Sequence, residues 1–208
     1  MQVDSPIFKD ICNHYLEQVG RLDLKSVERK LGVQVDGNEV IIPLFGRPQR
    51  VSKKGIIGPS GEKPSFEVCV ILCKYLLLCP DVLPEDKRWT SYRDLKHSGP
   101  LTIYFENDVE RAISEFFTGR TVNLKKACEI LEGRPPTLEV SYDLCMQFNL
   151  LPRIPVLLLY NDADDEFPAN CSVLFEKRAE DYLDAECLAG AGRLLFTSLK
   201  ETEKYASK

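Results

Sequence analysis

The apolar positions change period several times along the chain, and each change marks an element. From Pro6 to Gly20 they fall at Ile7, Ile11, Tyr15 and Leu16, one helical face, with Ser5 placed to cap and Pro6 suited to a first turn. A second short helix is predicted from Ser26 to Leu31, closed by Gly32. The period then drops to two. Val33-Gln34-Val35 alternates, Asp36-Gly37-Asn38 signals a tight turn, and Val40 to Phe45 reads as a strand. Pro43 argues that this strand is at an edge or bulged. Gly46-Arg47-Pro48 turns the chain again, Gln49 to Ser52 supplies another short strand, and Lys53 to Pro64 is predicted as loop.

Ser65 to Cys79 is apolar and long enough for a buried helix. Pro80 to Pro100 is irregular, and Leu101 to Phe105 is predicted as strand. A helix from Asn107 or Asp108 to Phe117 follows, then one from Asn123 to Leu131 stopped by Gly133 and Pro135-Pro136. Alternation returns at Val140, Tyr142, Leu144, Met146 and Phe148. Leu151 to Pro155 turns that strand into the apolar run Pro155 to Tyr160, and Cys171 to Phe175 returns antiparallel, leaving the residues between at the tip of a long hairpin. From Arg178 to Leu199 a helical stripe is formed by Leu183, Cys187, Ala191, Leu194, Leu195 and Leu199, with Asp181, Asp184 and Glu186 early, where the helix dipole favours negative charge. Strands and helices cluster instead of alternating strictly. The predicted class is α+β, an antiparallel sheet with helices packed on it, in one domain over residues 1–208 with a possible helical and hairpin subregion in 1–64.

Composition narrows the partners. With 208 residues, 44% hydrophobic and 28% charged, the chain suits an ordinary globular core. Its net charge is −5 and its basic pairs, Lys53-Lys54 and Lys125-Lys126, are short, so no nucleic acid is expected as main partner. No apolar run approaches the roughly 20 residues of a membrane-spanning helix, and no basic region precedes an apolar stretch at the N-terminus. The expectation is a cytoplasmic protein with no membrane association.

The eight cysteines lie mostly in apolar periodic segments, where thiols behave as small hydrophobes. Cys69, Cys73 and Cys79 match none of the common iron–sulfur spacings, and no fourth cysteine follows nearby, so core cysteines are favoured over a cluster. Gly58 to Ser65 lacks the glycine spacing of a phosphate loop, and Pro64 removes a needed amide. His14 and His97 lie in no catalytic motif.

The candidate chemistry is acidic. Asp162, Asp164, Asp165 and Glu166 crowd the hairpin tip, followed by Phe167-Pro168. Three readings stand: a solvated loop in which Asp162 and Asp164 serve turn geometry, a divalent-cation site formed by the four carboxylates, and recognition of a basic ligand or partner with Phe167 as apolar anchor. Asp184 and Glu186, at the start of the last helix, complete the candidate set. Arg153, between Pro152 and Ile154, is placed to pair with an acid of the tip or to form a surface ion pair.

Several segments together resemble domain-of-unknown-function family 3786, found in anaerobic bacteria and archaea. They are Phe45-Gly46-Arg47-Pro48, Lys74-Tyr75-Leu76, Trp89 to Leu95, Leu151 to Tyr160, Asp164 to Ala169, Leu174-Phe175 and Ala179 to Leu183. The resemblance spans nearly the whole chain and brings no catalytic residue with it. It implies a setting in anaerobic cofactor, iron–sulfur or corrinoid one-carbon metabolism, although the four-cysteine module fused to some members is absent here. The expected function is a binding or accessory protein, with a metal-dependent enzyme centred on Asp162 to Glu166 as the alternative. A small-molecule or protein partner fits the first.

Overall fold

The computed structural model describes residues 6–138 and 141–206, so the capping expectation at Ser5 and the strand position Val140 lie outside the described residues. Helix α1 (Pro6–Val19) buries Leu16 and Val19. The predicted face is covered only at its C-terminal end, because Ile7 and Ile11 remain 66% and 36% exposed. Helix α2 (Leu24–Leu31) starts where the Asp23 carboxylate accepts the Lys25 amide and stops at Gly32, whose φ of 69° makes the left-handed cap.

Four strands follow as an antiparallel meander: β1 (Gln34–Asp36), β2 (Glu39–Leu44), β3 (Arg47–Ser52) and β4 (Gly55–Ile57). Pro43 lies past the end of β1, opposite Pro48 of β3, where no ladder bond toward β1 is missed. β4 falls inside the stretch expected to be loop: Ile56 and Ile57 pair with Val51 and Arg50 after a turn at Lys53-Lys54. Helix α3 (Phe66–Leu77), capped by the Ser65 hydroxyl, buries Cys69, Ile71, Leu72, Cys73, Tyr75 and Leu76 and packs on α1.

Strand β5 (Trp89–Ser91) lies in the stretch expected to be irregular. The expected strand at Leu101 to Phe105 is helical instead. After the turn at Gly99–Leu101, α4 (Thr102–Phe105), a π segment (Glu106–Arg111) and α5 (Ala112–Phe117) run on as one helical stretch. The cause is legible in the burial: Phe105, Val109, Ile113 and Phe117 recur every fourth residue and are all at most 1% exposed, while Ile103 is 72% exposed. A helix turns every 3.6 residues, so a spacing of four drifts by about 40° per turn. The wider π turn takes up that drift and keeps all four side chains on the core.

Helix α6 (Thr121–Ile130) precedes β6 (Leu144–Leu151), β7 (Ile154–Asn161) and β8 (Asn170–Glu176). These form a second antiparallel sheet in the order β5-β8-β7-β6. β7 is internal, and every residue from Ile154 to Tyr160 is buried, which is why it reads as a continuous apolar run and not as an alternation. Helix α7 (Ala185–Ala206) begins later than the apolar stripe suggests. A 3-10 turn (Lys177–Asp181) comes first, so Asp181 is outside the helix, and Asp184 caps it by accepting the Cys187 amide at 2.9 Å.

One hydrophobic core runs through both sheets and the helices. The sheets meet where the Phe45 amide donates to the Leu150 carbonyl at 3.1 Å and the Phe45 ring meets Phe148 edge-on, with centroids 6.4 Å apart. Among the described residues, no helix is long and apolar enough to cross a membrane.

Candidate functional site

The acidic segment sits at the tip of the β7–β8 hairpin, as expected, beyond the pair Asn161 and Asn170. Its four acids do different things. Asp162 Oδ1 accepts the amides of Gly119 (2.7 Å) and Ala163 (2.9 Å) and the Tyr160 hydroxyl (3.1 Å), while Oδ2 accepts the Thr121 hydroxyl (2.6 Å). Burial raises its pKa, but these bonds, led by Thr121 and Gly119, outweigh that and bring it down to about 2. Asp164 closes an Asx turn, its Oδ1 accepting the amides of Glu166 (2.8 Å) and Phe167 (2.7 Å), and those bonds hold its pKa below the usual value. Asp165 and Glu166 are exposed, and Phe167 is 67% exposed. Among the described residues, no group of three or more His, Cys, Asp or Glu is arranged to hold a metal ion.

The remaining candidates are elsewhere. Arg153 does not meet the acidic tip: its Nε and Nη2 donate to the carbonyls of Lys30 (3.0 Å) and Arg29 (3.1 Å). A guanidinium suits those otherwise open carbonyls at the C-terminus of α2. Beside it the Tyr75 hydroxyl donates to the Leu31 carbonyl at 2.8 Å and accepts the Arg153 amide at 3.1 Å. Asp184 caps α7 and meets Lys74 Nζ at 3.1 Å; burial opposes ionisation, and the Cys187 amide and Lys74 reverse this and lower its pKa. Glu186 is exposed in the first turn of α7. The eight predicted site residues are therefore spread over three places.

What the fold does bring together is a cleft of about 780 Å³ where the open end of the first sheet approaches the outer edge of β6. Its lining includes Pro43, Gly46, Glu132, Arg134, Gln147 and Asn149. Arg134 and Gln147 exchange both main-chain hydrogen bonds (2.9 and 2.7 Å), so alternation turns the main-chain groups of Asn149 outward on the same edge.

The cleft walls hold unusual backbone. Among the described residues, three non-glycine residues have positive φ: Glu132 (59°) lines the cleft, and Phe45 (47°), itself buried, precedes the lining residue Gly46. Gly46, with φ 72°, continues the left-handed turn, and a Cβ on it would overlap the Glu132 carboxylate. Left-handed backbone costs a branched or bulky residue stability, and such positions cluster at ligand sites. The sequence signals were Gly46-Arg47-Pro48, which read as a turn, and Gly133 with Pro135-Pro136, which read as a helix stop.

Two antiparallel sheets flanked by helices, with a polar cleft at their junction, define an α+β protein. The family described as Domain of unknown function (DUF3786) matches residues 23–198, and the chain belongs to that family. No curated protein and no solved structure matches the chain.

Proposed function

We propose that this is a cytoplasmic binding or accessory protein whose ligand occupies the cleft between the two sheets. The observation that carries the reading is the pairing of left-handed, non-glycine backbone at the lining residue Glu132 with an open cleft of about 780 Å³, within the range small-molecule sites occupy. Glu132 and Arg134 offer opposite charges, and Gln147 and Asn149 offer amides that both donate and accept. Pro43, Pro136 and Pro152 stiffen the walls, so little ordering is needed on binding. A small polar molecule with both donors and acceptors suits this set. The anaerobic cofactor and one-carbon setting implied by the family resemblance is where such a ligand is to be sought.

The metal-dependent alternative at Asp162 to Glu166 has less support, since both Asp162 oxygens already take protein donors. The test is a thermal-shift panel of corrinoids, nucleotides, amino acids and divalent cations on protein purified without oxygen. Any compound that stabilises the wild type should lose its effect in Arg134→Ala and Gln147→Ala, and keep it in the double variant Asp165→Asn, Glu166→Gln. Binding that ignores the cleft variants and disappears with the acids would reverse the assignment.

A further inference from the structure

The inter-sheet cleft contains a gap in the main-chain hydrogen bonding, and the gap has a shape and a direction. β6 is the outer strand of the second sheet, and two segments already use its free edge. Arg134 takes the rung at Gln147, exchanging both main-chain bonds, and the Phe45 amide takes the Leu150 carbonyl at 3.1 Å. Between these two lies Asn149. Its neighbour on β7 is Pro155, which has no N–H to offer, and its own N–H and C=O point away from β7 into the cleft. Among the described residues, no strand or bridge pairs with Asn149 on that side. An open rung flanked by made ones is a template for one more residue of extended chain.

In an antiparallel pair the two residues exchange bonds. An occupant must therefore donate to the Asn149 carbonyl and accept from the Asn149 amide, through atoms spaced as N–Cα–C–O. The carbonyl side of Asn149 leads to Leu150 and so to Phe45 and Gly46, where the Glu132 carboxylate lies so close that a Cβ on Gly46 would overlap it. The amide side leads back to Gln147, the partner of Arg134. The nitrogen of the occupant thus lies at the Glu132 end and its carboxyl at the Arg134 end. Among the described residues, neither the Glu132 carboxylate nor the Arg134 guanidinium has a hydrogen-bond or ion-pair partner. A negative group at the nitrogen end and a positive group at the carboxyl end match a zwitterion in this orientation and oppose it in the reverse one. The Gln147 and Asn149 amides both donate and accept, so they favour neither charge.

We propose that the cleft binds an α-amino acid group, its ammonium toward Glu132, its carboxylate toward Arg134, and its N–Cα–C–O atoms completing the rung at Asn149. At about 780 Å³ the cleft has room for either source, a free amino acid or the zwitterionic head of a larger molecule. The proposal rests on the cleft reading above and adds to it the chemical class of the ligand.

The experiment is titration calorimetry on the full-length protein, with each standard amino acid, glutathione and S-adenosylhomocysteine as probes. The last two carry the same head on larger bodies. At least one probe should bind saturably, and its N-acetyl and carboxamide derivatives, which lack the ammonium and the carboxylate, should bind at least tenfold more weakly. Glu132→Gln should weaken the parent and spare the N-acetyl derivative, and Arg134→Gln should weaken the parent and spare the carboxamide. Both positions are exposed, and the derivatives need no variant, so a variant that fails to fold leaves the test intact. Binding of free amino acids or of the larger probes tells the two sources apart. The proposal is overturned if no probe binds or if the derivatives bind as well as their parents. The cleft reading survives that result if another compound of the thermal-shift panel loses its effect in Arg134→Ala and Gln147→Ala. A probe that binds all four cleft variants as tightly as wild type overturns both.

Discussion

The Asp162 carboxylate accepts the Thr121 hydroxyl at 2.6 Å, across 41 positions of sequence, and so ties the hairpin tip to the first turn of α6. The same carboxylate takes the Gly119 amide just before that helix. An acid that looked like part of a charged cluster is a clamp between two elements. Replacing Asp162 with Ala should destabilise the protein by about 1–3 kcal/mol, the usual cost of stripping partners from several polar groups. Asp165→Asn with Glu166→Gln should stay within about 0.5 kcal/mol of wild type, or gain slightly, as surface changes do. Urea denaturation of the variants checks both. Equal losses in the two would mean that the outer acids also hold the fold.

The clamp has a pH signature. Asp162 has its pKa lowered from 3.8 to about 2 in the folded protein, so its contribution is fully present above about 4 and is lost as pH falls toward 2. Asp162→Asn should flatten that part of the acid limb. Glu110 has the opposite sign: its folded pKa is raised, so the folded state favours the protonated carboxyl and loses relative stability once pH rises past the unfolded value. Glu110→Gln should accordingly be neutral or stabilising at pH 7. Melting midpoints from pH 2 to 7 separate the two behaviours.

Gly192 lies in α7 with its α-carbon so close to the Phe105 ring that a Cβ would overlap it. Gly192→Ala should cost about 1–3 kcal/mol by overpacking despite the better helix propensity of alanine. Shortening the opposing ring with Phe105→Leu should recover part of the loss, which a double-mutant cycle reads directly. An additive pair would place the strain elsewhere.

Cys171 and Cys187 are 6% and 5% exposed, and burial pushes both thiols well above their ordinary pKa. Each should alkylate in the native state at least about 100-fold more slowly than in denaturant, since thiolate is the reacting form. Mass-resolved labelling with iodoacetamide gives both rates, and fast native labelling of either would contradict the burial of that thiol.

The parts of the fold that the sequence made legible are those fixed by local period and punctuation. The stop at Gly32, the Asp36 to Asn38 turn and the β7–β8 hairpin are all local signals, and they sit where the pattern puts them. What it missed was decided by partners distant in sequence. β4 and β5 are three residues long and exist because β3 and β8 offer edges to pair with. The role of Arg153 depends on where the end of α2 arrives, more than 120 residues away in sequence. The acidic tip drew notice because charge clusters are visible in a sequence. The cleft did not, because its lining is drawn from six separate stretches, and backbone strain at Phe45 and Glu132 leaves no compositional trace.

The π segment between Phe105 and Ala112 holds one residue more than a regular helix needs to join the same two ends. Removing a single residue there, at Asn107 or Asp108, should give a regular α-helix that keeps Ile113 and Phe117 in phase with Phe105. Winding the same residues as a regular helix with none removed would instead turn everything on the far side by about 100° relative to Phe105, and Ile113 and Phe117 would leave the core. The extra residue thus acts as a phase shifter: a regular helix of the same length would be a better isolated helix and a worse protein.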